Sequence, residues 1–163
     1  NLLQRSGITP VEPDKGSNIS INAISGTKTS HQEVFTYGVG GTWDELTTLG
    51  GLLTFSYNGS SATHIGSGGY CVGAIWMPGW DWIVDRCIRT GINYGPASVV
   101  WRTWRGDYHC APTWVFPCVA GSGYYHSLYD YIFGYRDGRS SCNFSWSGTI
   151  VRGPARRILQ GCY

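Results

Sequence analysis

Runs of β-branched and aromatic residues recur along this chain, broken by glycine and turn residues at roughly eight- to twelve-residue intervals, the spacing of short strands and not of helices. Residues 19–24, 34–39, 52–58, 70–76, 98–104, 114–120, 129–135 and 144–151 are the predicted strands. The clearest is Val99-Val100-Trp101-Arg102-Thr103-Trp104. Val100, Arg102 and Trp104 share one of its faces and Val99, Trp101 and Thr103 the other, the two-residue period of a half-buried strand. Asn58-Gly59 and Asp137-Gly138 are hairpin-turn dipeptides, because these residue types tolerate positive φ. Gly66-Ser67-Gly68-Gly69 and Gly121-Ser122-Gly123 read as further hairpin glycines. Only residues 81–90 depart from the pattern: Ile83, Arg86, Cys87 and Thr90 fall three or four apart and predict at most one short helix. The expected class is all-β, either a closed, disulfide-stapled barrel or a two-sheet sandwich. Residues 6–18, polar and punctuated by Pro10 and Pro13, are expected to be a flexible lead-in to a single β domain spanning 19–163.

Cysteine usage adds a compartment to this picture. Cys71, Cys87, Cys110, Cys118, Cys142 and Cys162 are the only six, and the first 70 residues contain none. An even number in a small chain with few charged groups predicts three disulfides and an oxidising environment. No Cys-x-x-Cys pair occurs and no cysteine has a histidine at zinc-finger spacing, so no metal or cofactor is expected. Fifteen pairings are open to six cysteines; sequence neighbours (71 with 87, 110 with 118, 142 with 162) are the expected ones. Asn18-Ile19-Ser20, Asn58-Gly59-Ser60 and Asn143-Phe144-Ser145 are candidate N-glycosylation sites, which also fits secretion. No run of 18 apolar residues occurs, so no membrane-spanning segment is expected. The chain begins at Asn1 without a methionine, so a processed or truncated product, its targeting segment already gone, is the expectation.

Charge is unevenly divided. Residues 1–85 carry three basic and seven acidic side chains, and residues 86–163 carry nine basic and three acidic ones, so the halves sum to −4 and +6. Every basic residue of the second half is arginine. Arginine pairs with carboxylates and phosphates and stacks on rings; the favoured reading is that these arginines pair with the protein's own acids and rings, and no nucleic-acid partner is expected. Eight tryptophans and eleven tyrosines supply core packing first and contact surfaces second.

Motifs for catalysis are sparse. The histidines His31, His64, His109 and His126 stand in no nucleophile elbow or metal-binding helix, and there is no phosphate-cradling loop. A secreted ribonuclease would need His109, His126, Glu33 and Arg102 brought onto one sheet face, and the expectation is that the protein is not an enzyme. One tripeptide, Arg105-Gly106-Asp107, directly follows the best strand and is the candidate recognition loop, presenting a cation and an anion around a glycine; a hairpin turn is the plainer reading of the same residues.

Leu2-Leu3-Gln4-Arg5 matches the Leu-x-x-Arg site, with Leu2 and Arg5 as its fixed positions, at which fungal kexin-type proteases separate a pro-domain from a mature secreted protein. Residues 1–5 are then a pro-segment remnant. Arg156-Arg157 is a second, dibasic candidate, where a cut would leave the tail tethered through Cys162. Together with the cysteine count and the tryptophan-rich β pattern, this site makes the chain resemble, over its whole length, the necrotrophic effectors (host-selective toxins) that plant-pathogenic fungi such as those of wheat secrete. The resemblance implies a compact disulfide-stapled β-barrel without enzymatic activity or cofactor, acting as a monomer in the host apoplast. It implies a host-plant protein as partner, either the product of a dominant sensitivity gene or an apoplastic pathogenesis-related protein, with cell death as the outcome. Alternatives of other classes are a carbohydrate-binding or membrane-permeabilising secreted toxin and a secreted ribonuclease.

Overall fold

Alternation of side chains between two faces, read from the computed structural model, organises the chain into eight strands. Residues 25–37, 45–73, 81–111, 125–149 and 154–162 are described by the structure. The strands are β1 (Gly26–Tyr37), β2 (Glu45–Tyr57), β3 (Ala62–Gly73), β4 (Asp81–Asn93), β5 (Val99–Ala111), β6 (Tyr125–Tyr135), β7 (Ser140–Gly148) and β8 (Ala155–Gln160). They form two four-stranded antiparallel sheets, ordered β3-β2-β1-β8 and β4-β5-β6-β7. The protein is therefore an all-β sandwich rather than a closed barrel.

Both turn dipeptides close hairpins as expected. Gly59 and Gly138 adopt φ of 81° and 82°. Asn58 Oδ1 accepts from the Ser60 and Ser61 amides at 3.0 and 2.8 Å, and Asp137 Oδ1 accepts from the Arg139 amide at 3.1 Å, the side-chain-to-backbone bonds that make Asn and Asp turn residues. The two turns meet the β4–β5 loop at one end of the sandwich, where Gly59 N donates to Arg136 O at 2.8 Å and Arg136 N to Ser98 O at 3.0 Å.

Three expectations need correction. The helical spacing at 81–90 belongs to β4, paired with β5 along its length. Its register shifts between Val84 and Arg86 and again between Arg89 and Gly91; each extra residue breaks strict alternation. Gly66, Gly68 and Gly69 lie inside β3 and not in a turn. Strand β8 carries no alternating signal, since its residues from Arg156 to Gln160 are all exposed, and it was not among the predicted strands. The predicted strands at 19–24 and 114–120, and Gly121-Ser122-Gly123, lie outside the described residues.

Between the sheets the apolar core falls into two clusters. One joins Val34 and Leu49 to Trp82, Tyr108 and Leu128; the other joins Leu53, Phe55 and Ala62 to Val100 and Ile132. A polar layer separates them, because Asp130 lies between Leu128 and Ile132 on β6, and Gly51 between Leu49 and Leu53 on β2. Arg102 Nη2 donates to Asp130 Oδ2, and Gln32 Nε2 donates to Asp130 Oδ1 and, at 2.6 Å, to Asn143 O. All three side chains are fully buried. The guanidinium occupies the space a side chain at Gly51 would need. Burial pushes the Asp130 carboxyl up and the Arg102 guanidinium down, each held by the other's charge.

Disulfides close the sandwich at both lateral edges. Cys71 of β3 is bonded to Cys87 of β4, with Cα atoms 5.9 Å apart, and Cys142 of β7 to Cys162 beyond β8, with Cα atoms 5.3 Å apart. Each bridge joins the edge strand of one sheet to the edge of the other. Cys110 is also disulfide-bonded, while Cys118 lies outside the described residues.

Candidate recognition face

Strand β6 carries Tyr125, Ser127, Tyr129, Tyr131, Phe133 and Tyr135 at every second position, so strand geometry places the five rings on the face turned away from the core. Their β5 neighbours on that face are His109, Arg105, Thr103, Trp101 and Val99. The indole of Trp101 lies against Gly91 of β4. On β7, Ser145 and Ser141 hydroxyls meet those of Tyr131 and Tyr135 at 3.1 and 3.0 Å. Arg139 lies over the Tyr135 ring at 5.7 Å. The face thus carries rings that run from buried Phe133 to exposed Tyr125, with the Tyr131 and Tyr135 hydroxyls held by serines of the neighbouring strand.

Arg105 and Asp107 sit at its centre, and they are not in a loop. The Arg-Gly-Asp tripeptide lies within β5, which runs on to Ala111. Arg105 and Asp107, two residues apart, point the same way: Arg105 Nε donates to Asp107 Oδ1 at 2.6 Å. Ser127 Oγ donates to the same oxygen at 2.6 Å, and Arg86 Nε of β4 approaches Asp107 Oδ2 at 3.9 Å. The Arg105 guanidinium also lies over the Tyr129 ring at 5.5 Å. Its hydrogen bond to Asp107 raises its already high pKa, so the charge is permanent. Gly106 faces inward and is buried, with the Tyr108 phenol filling the space a side chain there would occupy. The arrangement sets a cation and a ring in fixed positions on one outer face, with the Asp107 carboxylate already accepting from Arg105 and Ser127 and so holding them in place. Arg86, Ser127 and Tyr129 belong to it as well, brought beside the tripeptide by cross-strand register; of these Ser127 carries no signal in the sequence.

A second cluster lies on the outer face of the other sheet. Arg157 of β8 donates through Nη1 to Glu33 at 3.1 Å and through Nη2 to Glu45. It covers the Phe35 ring at 5.3 Å. Tyr70 donates to the other Glu33 oxygen, its hydroxyl pKa pushed up by burial and by that carboxylate. Here each carboxylate is already an acceptor for protein donors, which makes the cluster a clamp on β8.

The four residues weighed for ribonuclease chemistry do not converge. Arg102 and His126 are buried in the core. His109 pairs with Asp85 at 2.7 Å on one outer face and Glu33 lies on the other. His126 stacks on Tyr108 with centroids 5.2 Å apart and packs on Trp82 at 4.7 Å, and its Nε2 bonds the Thr47 hydroxyl at 2.8 Å. Burial holds its pKa down at about 4. Of the sequon asparagines, Asn58 is exposed in the β2–β3 turn and Asn143 is half-buried in β7. Asn18, Leu2 and Arg5 lie outside the described residues. Among the described residues no group of three or more His, Cys, Asp and Glu is placed to hold a metal ion. No protein-family model, curated protein or solved structure matches the chain.

Proposed function

We propose that this protein is a secreted effector that a host-plant protein recognises, with host cell death as the consequence. The observation that carries this reading is the outer face of β4–β7, where Arg105, Asp107, Ser127 and Tyr129 are held by one another on paired strands of one sheet. Contact surfaces draw most of their binding energy from a few arginine and aromatic anchors set in fixed positions, and pre-ordered anchors cost little entropy on association. The two lateral disulfides fit an extracellular site of action. The resemblance of the chain to fungal host-selective toxins supplies the class of partner and the outcome.

Infiltration of purified, oxidised protein into a panel of wheat lines tests the reading. Death is expected in some lines and not in others. In the responding lines, Arg105→Ala and Tyr129→Ala, each checked for unchanged thermal unfolding, are expected to need about ten-fold more protein, the equivalent of about 1.4 kcal/mol at one anchor. Damage in every line, or folded variants as potent as the parent, would count against a recognised surface.

A further inference from the structure

The basic pair Arg156-Arg157 is bolted into the fold from two sides. Arg157 faces the outer surface of the β3-β2-β1-β8 sheet, where Glu33 of β1 and Glu45 of β2 hold its two terminal nitrogens and Phe35 lies beneath it. Arg156 reaches the opposite sheet: its Nη1 donates to Cys142 O of β7 at 2.7 Å, and its guanidinium lies 5.9 Å from the Phe144 ring centre. The backbone on either side is paired with β1, Arg156 opposite Val34 and Ile158 opposite Gln32. Four residues beyond Ile158, Cys162 ties the end of this segment to Cys142.

A protease that cuts after paired basic residues needs the segment extended in its cleft, with the arginine side chain inserted in an acidic pocket. Side-chain exposure alone does not provide that. β8 must leave β1, and Arg157 must exchange Glu33 and Glu45 for the carboxylates of the enzyme, so cleavage requires local opening of the strand. We propose that Arg156-Arg157 is a latent proteolytic processing site, closed by the Glu33–Arg157–Glu45 clamp and by the Cys142–Cys162 bridge. Opening lets water add across the Arg157–Ile158 peptide bond, with a new carboxylate on Arg157 and a new amino group on Ile158. While the bridge is intact residues 158–163 remain attached, and reduction then releases them. Redox state thus sets both whether the site is cut and whether the tail departs.

The test uses the full oxidised chain and a purified kexin-type protease, with a synthetic peptide of residues 154–161 as the freely accessible reference. Intact-mass measurement follows addition of one water to the protein, and peptide mapping confirms the new Ile158 terminus. The oxidised protein is expected to be cut at this bond at least about 100-fold more slowly than the peptide, the factor associated with a bridge over a loop of this size. Glu33→Gln/Glu45→Gln, which keeps the disulfides, is expected to be cut about ten-fold faster than the parent. Cys142→Ser/Cys162→Ser is expected to approach the peptide. Because the cysteine variant can lose the fold altogether, the glutamine variant, verified by its thermal transition, is the deciding sample. Parent protein cut as fast as the peptide would overturn the proposal, as would a folded glutamine variant no more susceptible than the parent.

Discussion

Removing the Arg102 guanidinium would leave the Asp130 carboxylate buried opposite Gly51 with Gln32 as its remaining side-chain donor. An uncompensated buried charge is the expensive case, costing roughly 3–5 kcal/mol, whereas replacing both partners by apolar groups of similar size is often nearly neutral. Arg102→Ala is therefore expected to lower the free energy of unfolding in guanidinium chloride by roughly 3–5 kcal/mol. Arg102→Met/Asp130→Leu should recover most of that loss; a double variant as weak as the single would show that the pair itself, not the orphaned charge, sets the cost. His126 makes a separate prediction in pH. Its folded-state pKa lies near 4 against an ordinary 6.5, so between these values the unfolded chain binds the proton and the folded one does not. Stability is then present above about pH 6.5 and falls as the pH drops, by about 1.4 kcal/mol per unit and about 3 kcal/mol in all by pH 4. Urea unfolding at stepped pH should show this slope as the difference between the parent and His126→Leu, because the raised Asp130 carboxyl, common to both, titrates with the opposite sign.

At the scale of elements, close approach explains why so many glycines lie inside strands. The Trp104 ring lies against Gly69 of β3, where an added methyl group would overlap it, while Gly66 on the same strand has open space. Gly69→Ala is expected to cost about 1–3 kcal/mol through overpacking, and Gly66→Ala less than about 1 kcal/mol; equal midpoints in chemical unfolding would sink the account. These contacts also mark where reading the chain by pattern reaches its end. Alternation with a two-residue period made most strands and both Asn-Gly and Asp-Gly turns legible, since those signals are local. β4 was not legible, because two bulges convert its spacing into one resembling a helix. β8 was not, because a strand exposed along most of its length carries no apolar period. The Arg-Gly-Asp segment looked like a loop because Gly106 reads as a breaker, whereas the Tyr108 ring takes the space of the missing side chain and the strand continues. The residues that complete its cluster come from β4 and β6, and register between distant segments leaves no trace in local composition.

Over the whole molecule, the two bridges whose partners are described act at opposite edges of the sandwich. Sequence separations of 16 and 20 residues close loops of moderate size, and by the loop-entropy estimate each contributes about 3 kcal/mol, chiefly by restricting the unfolded chain. A sandwich whose sheets meet across a core interrupted by a polar layer depends on such restraints more than one with a continuous apolar core. The bridges share no partner and flank different strand pairs, β3 with β4 and β7 with β8, so their effects should add to within about half a kcal/mol. Cys71→Ser/Cys87→Ser and Cys142→Ser/Cys162→Ser are each expected to lower unfolding stability by about 3 kcal/mol, and the four-residue variant by the sum. Combined loss well short of the sum would mean that opening one edge already frees the other and that the sheets separate as a unit. If recognition depends on the outer face of β4–β7, the Cys71/Cys87 variant should also raise the dose needed for leaf necrosis, since that bridge anchors β4 and with it Arg86.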